Sequence, residues 1–205
     1  MKVGIIGSGG REHALCVSLE KSEIIEKIYC VPGNAGTNQI AENVNIDISD
    51  FKKLTSFVKE KKIEIVLVGP EKPLVDGIVD HLENENVKVF GPNKFASQLE
   101  GSKIFTKKIC KKYEIPTAKF EIYNDKEKAH SFFKNCNFPV VVKADGLAAG
   151  KGVYICEKED EAKQAVNEIF GGKFGVSKEV LIEEFLDGEE MSFFIISDGV
   201  SFKEF

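Results

Sequence analysis

The sequence predicts an α/β protein: an amino-terminal doubly wound parallel sheet followed by a small α+β unit. Three observations carry this. Short apolar runs alternate with amphipathic segments from residue 1 to about 92. Those runs end in turns rich in glycine and proline. After Pro116 the alternation gives way to strand-like runs joined by helical and short polar stretches. Alternation at this spacing is the signature of parallel strands with crossover helices.

The elements follow in order. "KVGII" is a buried parallel strand that ends in glycines. "REHALCVSLEKS" is helical, with Ala14, Leu15, Val17 and Leu19 as its apolar stripe. "IIEKIYCV" is a second strand, closed by "PGNAGTN". "DFKKLTSFVKEKK" is a helix capped by Asp50, with Phe51, Leu54, Phe57 and Val58 on one face. "IEIVLVGP" is a strand, "LVDGIVDHLENEN" one helix, and "VKVFGP" another strand. "NKFASQLEGSKIFTKKICKKYEIP" is helical with a break at Gly101. Its lysines 103, 107, 108, 111 and 112 read mostly as a solvated face. Beyond Pro116, "KFEIY" is a strand, "DKEKAHSFFKN" a helix and "FPVVVKA" a strand. "GVYICEKEDEAKQAVNEIF" is strand then helix, and "EVLIEEFL" and "MSFFIIS" are strands joined by "DGEE".

The bulk numbers exclude several classes. With 28 basic and 33 acidic residues the net charge is −5, so there is no global attraction to nucleic acid. An anionic ligand must be captured by local geometry. No apolar run reaches the roughly 18 residues of a membrane span. Arg11, Glu12 and His13 interrupt the first apolar run too early for a signal peptide. Five cysteines, none in a C-x-x-C pair, fit a reduced, cytoplasmic compartment. The three histidines do not cluster in sequence.

Three stretches carry chemistry. "GSGGRE" departs from the dinucleotide fingerprint, because Glu12 stands where the last glycine belongs and no acid ends the second strand. Small residues at a strand-to-helix turn still expose backbone N–H groups, and Arg11 adds a positive charge. The reading is a phosphate-bearing small molecule; the alternative is a tight turn without a ligand. "KADGLAAGKGV" fails the P-loop spacing, and Gly152 replaces the hydroxyl residue that would hold magnesium. Lys143 ends an apolar strand with its amine directed to the loop, and Lys151 sits on a segment freed by Gly146, Gly150 and Gly152. The alternative is a surface hairpin with snorkelling lysines. "VLIEEFLDGEE" suits a purine nucleoside: backbone around Glu184 and Leu186 reads the base edge, and a later carboxylate accepts from ribose. Taken alone, such a stretch is more often a strand with a solvated acidic turn.

The ordered stretches "GSGGREHAL", "PGNAGT", "VGPEKPLVDGIVD", "FGPNKFASQLEGSK", "KADGLAAGKGV" and "IEEFLDGEEMSF" closely resemble the phosphoribosylamine–glycine ligase (glycinamide ribonucleotide synthetase) family of the ATP-grasp superfamily. The resemblance spans the chain but only the amino-terminal half of the family's length. It implies a pre-ATP-grasp substrate-binding domain at 1–100, a linking helix region at 101–121, a small ATP-grasp subdomain at 122–190, and the start of an incomplete ATP-grasp core at 191–205. It also implies that the rest of the ATP-grasp domain is missing from these 205 residues. It implies that ATP phosphorylates glycine to an acyl phosphate, which the amine of 5-phosphoribosylamine attacks, in purine biosynthesis. Gly9, Gly10, Arg11 and Glu12 then resemble the substrate's 5-phosphate site, with Asn34, Gly36, Pro70 and Glu71 around the ribose. Glu71 also fits independently, since a carboxylate after a parallel strand lies at the sheet's ligand edge. Lys103 and Lys143 resemble the phosphate lysines, and Gly150, Lys151 and Gly152 a loop closing over them. Lys103, Lys143 and Lys151 carry the catalytic expectation. Glu183, Glu184 and Leu186 resemble adenine contacts, and Glu190 the ribose carboxylate. The family's magnesium ligands and much of its glycine site fall beyond Phe205, so no metal ligand is expected in this chain and the fragment is expected to be inactive alone. The alternatives are another ATP-grasp purine ligase, against which "GGREHA" with "PGNAG" argues, and a non-catalytic nucleotide-binding remnant.

Overall fold

The computed structural model describes residues 1–147 and 151–205. The chain divides into two compact units. One comprises Met1–Ile115 with Asp145–Lys151, the other Pro116–Ala144 with Gly152–Phe205.

The first unit contains β1 (Lys2–Gly7), α1 (Gly10–Glu20), β2 (Lys27–Pro32), β3 (Glu42–Asn43), α2 (Phe51–Lys61) and β4 (Ile65–Val68). It continues with α3 (Glu71–Asp76), α4 (Ile78–Asn84), β5 (Lys88–Phe90), α5 (Gln98–Gly101) and α6 (Lys103–Lys112). The five strands form one parallel sheet in the order β3-β2-β1-β4-β5. Alternate residues of β1 and β2 face opposite layers, as the period of a strand requires. Val3, Ile5, Ile28 and Cys30 pack with Cys16, Leu15 and Leu19 of α1. Ile6, Tyr29 and Val31 pack with Leu54, Phe57 and Val58 of α2 and with Ile78 and Leu82 of α4. Both faces are covered, so the doubly wound expectation holds.

Two details differ from expectation. The buried stripe of α1 runs through Glu12, Leu15, Cys16 and Leu19, while Ala14 and Val17 are exposed. The helix begins at Gly10, one residue before the expected Arg11, and the Glu12 carboxylate takes the first inward position. The expected single helix "LVDGIVDHLENEN" is two. Gly77, at φ +98°, is both the end of α3 and the start of α4, a backbone state glycine adopts without a Cβ penalty. Asp50 caps α2 as expected, accepting from Lys53 N at 3.0 Å.

The second unit contains β6 (Phe120–Tyr123), α7 (Lys126–Phe133), β7 (Val140–Ala144), β8 (Val153–Cys156), α8 (Glu159–Phe170) and β9 (Val180–Glu184). Its four strands form an antiparallel sheet in the order β6-β9-β7-β8. Val140, Val142, Ala144, Val180 and Ile182 face Ala129 and Phe133 of α7 and Ala162, Ala165, Val166 and Ile169 of α8. The helices therefore cover one face. Period-2 alternation sends Val141, Lys143, Leu181 and Glu183 to the other. A separate hairpin pairs β10 (Ile195–Ser197) with β11 (Phe202–Glu204). The strand expected over "MSFFIIS" shrinks to its last three residues and pairs with β11 rather than with β9.

Candidate functional site

The first unit places its candidate residues at the carboxyl edge of the parallel sheet. In the order β3-β2-β1-β4-β5 all strands run parallel, and the strand order reverses between β1 and β4, which opens the crevice where open α/β sheets bind ligands. The loop after β1 and the first turn of α1 deliver Gly9, Gly10 and Arg11 there. The loop after β4 delivers Pro70 and Glu71, with Glu71 the first residue of α3. Arg11 Nη2 lies 2.8 Å from Glu71 Oε1. The amide at the start of α3, then the Arg11 guanidinium, hold the Glu71 carboxyl below its ordinary value. A cavity of about 310 Å³ opens beside the pair, lined also by Gly69, Leu74, Ser97 and Glu100.

Glu12 is placed differently from its neighbours. It is 3 % exposed. Its Oε2 accepts from the backbone N–H of Gly9, the residue that precedes the first turn of α1. Its Oε1 is buried with no hydrogen-bond partner among the described residues. A Cβ on Gly69 would stand 1.9 Å from that oxygen, and one on Gly7 2.6 Å from the Glu12 carboxyl carbon. Glu12 thus braces the two loops from within, and Gly10 and Arg11 form the outer surface.

Asn34 is likewise committed to the scaffold. Its Nδ2 donates to Ser8 O at 2.9 Å and Gly9 O at 3.2 Å, and its Oδ1 accepts from Gly36 N and Thr37 N. Its side chain ties the loop after β2 to the loop after β1. Gly36 lies under the His13 ring; a Cβ there would be 2.6 Å from His13 Cε1.

Also within this unit, Ser102 caps α6, accepting from Phe105 N at 3.0 Å. Lys103 is the first residue of that helix, and its ammonium donates to Gly146 O at 2.9 Å. Lys151 is exposed. Gly150 lies outside the described residues.

In the second unit, the sequence aims the Lys143 amine at the loop after its strand. It lies instead 2.8 Å from Glu183 Oε2 on the neighbouring strand. Lys143 is paired in register with Leu181, so Glu183 is its diagonal neighbour on the face away from the helices. Glu184 marks the end of β9: its N–H donates to Lys119 O at 2.9 Å and its Oε1 accepts from Lys119 N at 2.8 Å. A cavity of about 400 Å³ opens at this end of the sheet, with Phe120, Phe132 and Val140 among its walls and Glu183 and Glu184 at its rim. It gathers Glu183 and Glu184 but not Leu186 or Glu190, which are exposed. Gly152 is buried, and its carbonyl accepts from Ala144 N at 2.8 Å.

One functional candidate escaped the sequence. Asp145 accepts from Ser102 Oγ at 3.0 Å and from Ile104 N at 3.1 Å. Only the cap-like Ser102 ahead of a helix was readable; its acidic partner lies 43 positions away.

Comparison with known proteins agrees with this arrangement. A model of the N domain of phosphoribosylglycinamide synthetase matches residues 1–100, and one of its ATP-grasp (A) domain matches residues 101–205. A phosphoribosylamine–glycine ligase of Mesorhizobium japonicum is 50 % identical over 202 residues, which are 98 % of this chain and 48 % of the relative. The corresponding ligase of Caldanaerobacter subterraneus is 49 % identical over 201 residues, with 97 % and 48 % covered. The crystal structure of phosphoribosylamine–glycine ligase from Thermotoga maritima superposes with a TM-score of 0.83 at 36 % identity, over 100 % of this chain and 49 % of that one. N5-carboxyaminoimidazole ribonucleotide synthetase from the same organism shares the fold, at TM-score 0.67 and 23 % identity, over 91 % of this chain and 46 % of that one. The chain spans about half the length of the curated relatives it matches. A parallel sheet followed by a lysine-bearing antiparallel sheet is here that of an ATP-grasp protein. Within that class, the chain belongs to the phosphoribosylglycinamide synthetase family.

Proposed function

We propose that this chain supplies the phosphoribosylamine site and part of the ATP site of a ligase that joins glycine to 5-phosphoribosylamine, giving glycinamide ribonucleotide, ADP and phosphate. The observation that carries the reading is the Arg11–Glu71 pair, set at the sheet's reversal point beside an open cavity. A cation and a carboxylate 2.8 Å apart offer one partner for a phosphate and one for vicinal hydroxyls. Binding a sugar phosphate exchanges their mutual ion pair for two ligand contacts. Gly10, with open space where a Cβ would stand, lets the phosphate approach the helix start. Glu12 and Asn34 hold that loop in shape from behind.

In the second step of the proposal, Lys103 and Lys143 contact the triphosphate. Their present partners differ: Lys103 rests on a neutral carbonyl, whereas Lys143 is matched by the Glu183 carboxylate. Lys103 therefore brings the less compensated charge. The glycine carboxylate takes the γ-phosphoryl group, and the amine of phosphoribosylamine then displaces phosphate from the glycyl carbon. These residues position and neutralise, which is most of what a phosphoryl-transfer site does. Magnesium supplies further neutralisation of the phosphates in such chemistry. Among the described residues no group of three metal-ligating side chains occurs, and no residue of this chain is assigned to the ion.

Ribose 5-phosphate is a stable probe of the first site. Titration calorimetry on the 205-residue chain is expected to show that Arg11→Ala weakens ribose 5-phosphate at least about tenfold and leaves ATP unchanged, the loss of a charged hydrogen bond. Lys103→Ala is expected to do the reverse. Unaltered sugar-phosphate binding by the Arg11 variant defeats the reading.

A further inference from the structure

We propose that Asp145 is a positioning residue for Lys103. It sits immediately after β7, yet its carboxylate serves the start of α6, 43 residues earlier in the chain. An α-helix leaves its first N–H groups without partners. In α6 two of them are satisfied by two different side chains. Phe105 N donates to Ser102 Oγ at 3.0 Å, and Ile104 N donates to Asp145 Oδ1 at 3.1 Å. The Ser102 hydroxyl in turn donates to the Asp145 carboxylate, at 3.0 Å from both oxygens. The acid is therefore bound to the cap and to the helix at once, and its negative charge suits the positive end of the helix dipole.

Lys103 lies inside this knot. It occupies the first position of α6, between the capping serine and the amide that Asp145 holds. Its ammonium reaches the carbonyl of Gly146, the residue next to Asp145, at 2.9 Å. Gly146 has φ +89°, and a Cβ there would meet nothing within 4 Å. The turn therefore needs glycine for its backbone state and not for want of space. Asp145 fixes both ends of the Lys103 side chain: the helix turn that bears its Cα, and the carbonyl that parks its ammonium. The carboxylate also occupies the α6 amino terminus, so an incoming phosphate meets the Lys103 ammonium rather than the bare helix end.

The proposal rests on the reading of Lys103 as a triphosphate contact, and two kinds of measurement keep the two apart. Without nucleotide, hydrogen exchange at the Ile104 and Phe105 amides is expected to quicken about tenfold in Asp145→Ala and to stay near the parent rate in Asp145→Asn, whose Oδ1 still accepts. With ATP, Asp145→Ala is expected to weaken binding about tenfold and Asp145→Asn to recover most of it. Adding Lys103→Ala to Asp145→Ala is expected to cost little more, because the two residues act through one contact. Unchanged exchange in Asp145→Ala overturns the proposal. So does faster exchange with ATP affinity intact while Lys103→Ala alone weakens ATP; Asp145 is then a cap and nothing further. If neither Lys103→Ala nor Asp145→Ala alters ATP binding, the reading of Lys103 falls and the proposal falls with it. Should Asp145→Ala fail to fold, Ser102→Ala takes its place: it removes the hydroxyl that binds Asp145 while Ile104 N keeps the carboxylate, exchange is expected to quicken at Phe105, and unchanged ATP affinity while Lys103→Ala weakens ATP overturns the proposal.

Discussion

Glu12 shows how one side chain can fix three glycines. Its carboxylate fills the space that a Cβ would need on Gly7, Gly9 and Gly69. Gly10 faces open space. Gly69→Ala is therefore expected to cost about 1–3 kcal/mol of stability, the usual range for overpacking a filled site, read from urea denaturation. Gly10→Ala is expected to change the midpoint little, and equal effects from the two substitutions contradict the account. The sequence showed that Glu12 replaces the last glycine of the dinucleotide pattern. It did not show where the carboxylate turns, because that depends on Gly69, which arrives from another strand. Arg11 and Glu71 were both legible as candidates, one from its glycine loop and one from its place after a strand. Their contact was not, since 60 positions of chain separate them. Asn34 was read as a ligand contact, and the structure shows its amide engaged on both sides by backbone.

At the scale of elements, local pattern served well wherever one face is apolar. α2 and α8 keep their stripes, and the strands of both sheets other than β3 fall where the apolar runs lie. Pattern failed where tertiary pairing decides. The two-residue β3 has no signal of its own, and Gly77 divides a continuous amphipathic stretch into α3 and α4. The end of α8 is fastened by a polar node that no periodicity announces. Glu168 accepts from Lys173 Nζ and Tyr154 Oη, each at 2.6 Å, and from Gln164 Nε2 at 3.0 Å. Lys173 first, then Tyr154 and Gln164, hold its carboxyl down to about 2, against an ordinary 4.5. A depressed carboxyl stabilises the fold above its unfolded value and loses that contribution as pH falls towards its folded value. The node is thus complete above about pH 4.5 and is lost towards pH 2. Glu168→Gln is expected to lower stability at neutral pH and to flatten the decline between those limits, as followed by urea melts. A variant whose acid profile parallels the parent's contradicts the assignment.

The whole molecule exposes a concentrated apolar surface near Phe205. Met191 is 82 % exposed, Phe202 69 % and Phe205 86 %, and among the described residues β10 and β11 pair only with each other. The 205-residue chain is therefore expected to bind a hydrophobic dye strongly, and a chain ending at Glu190 to bind much less of it with an unchanged melting midpoint. Equal dye binding by both chains refutes this. Since the curated relatives are about twice as long, ligase turnover is expected only when the polypeptide corresponding to their other half is also present. Phosphate release from ATP with glycine and phosphoribosylamine reports it, and turnover by this chain alone contradicts the expectation. The order of the motifs made the family legible from end to end. The threading of the chain was not legible, and it has a practical consequence. Asp145 and Gly146 group with Met1–Ile115, although Ala144 before them and Gly152 after them belong to the second unit. A gene cut after codon 115 thus discards the acid that closes the last helix of its product, and that helix is expected to fray from its first turn. No single scission of this polypeptide releases both units whole.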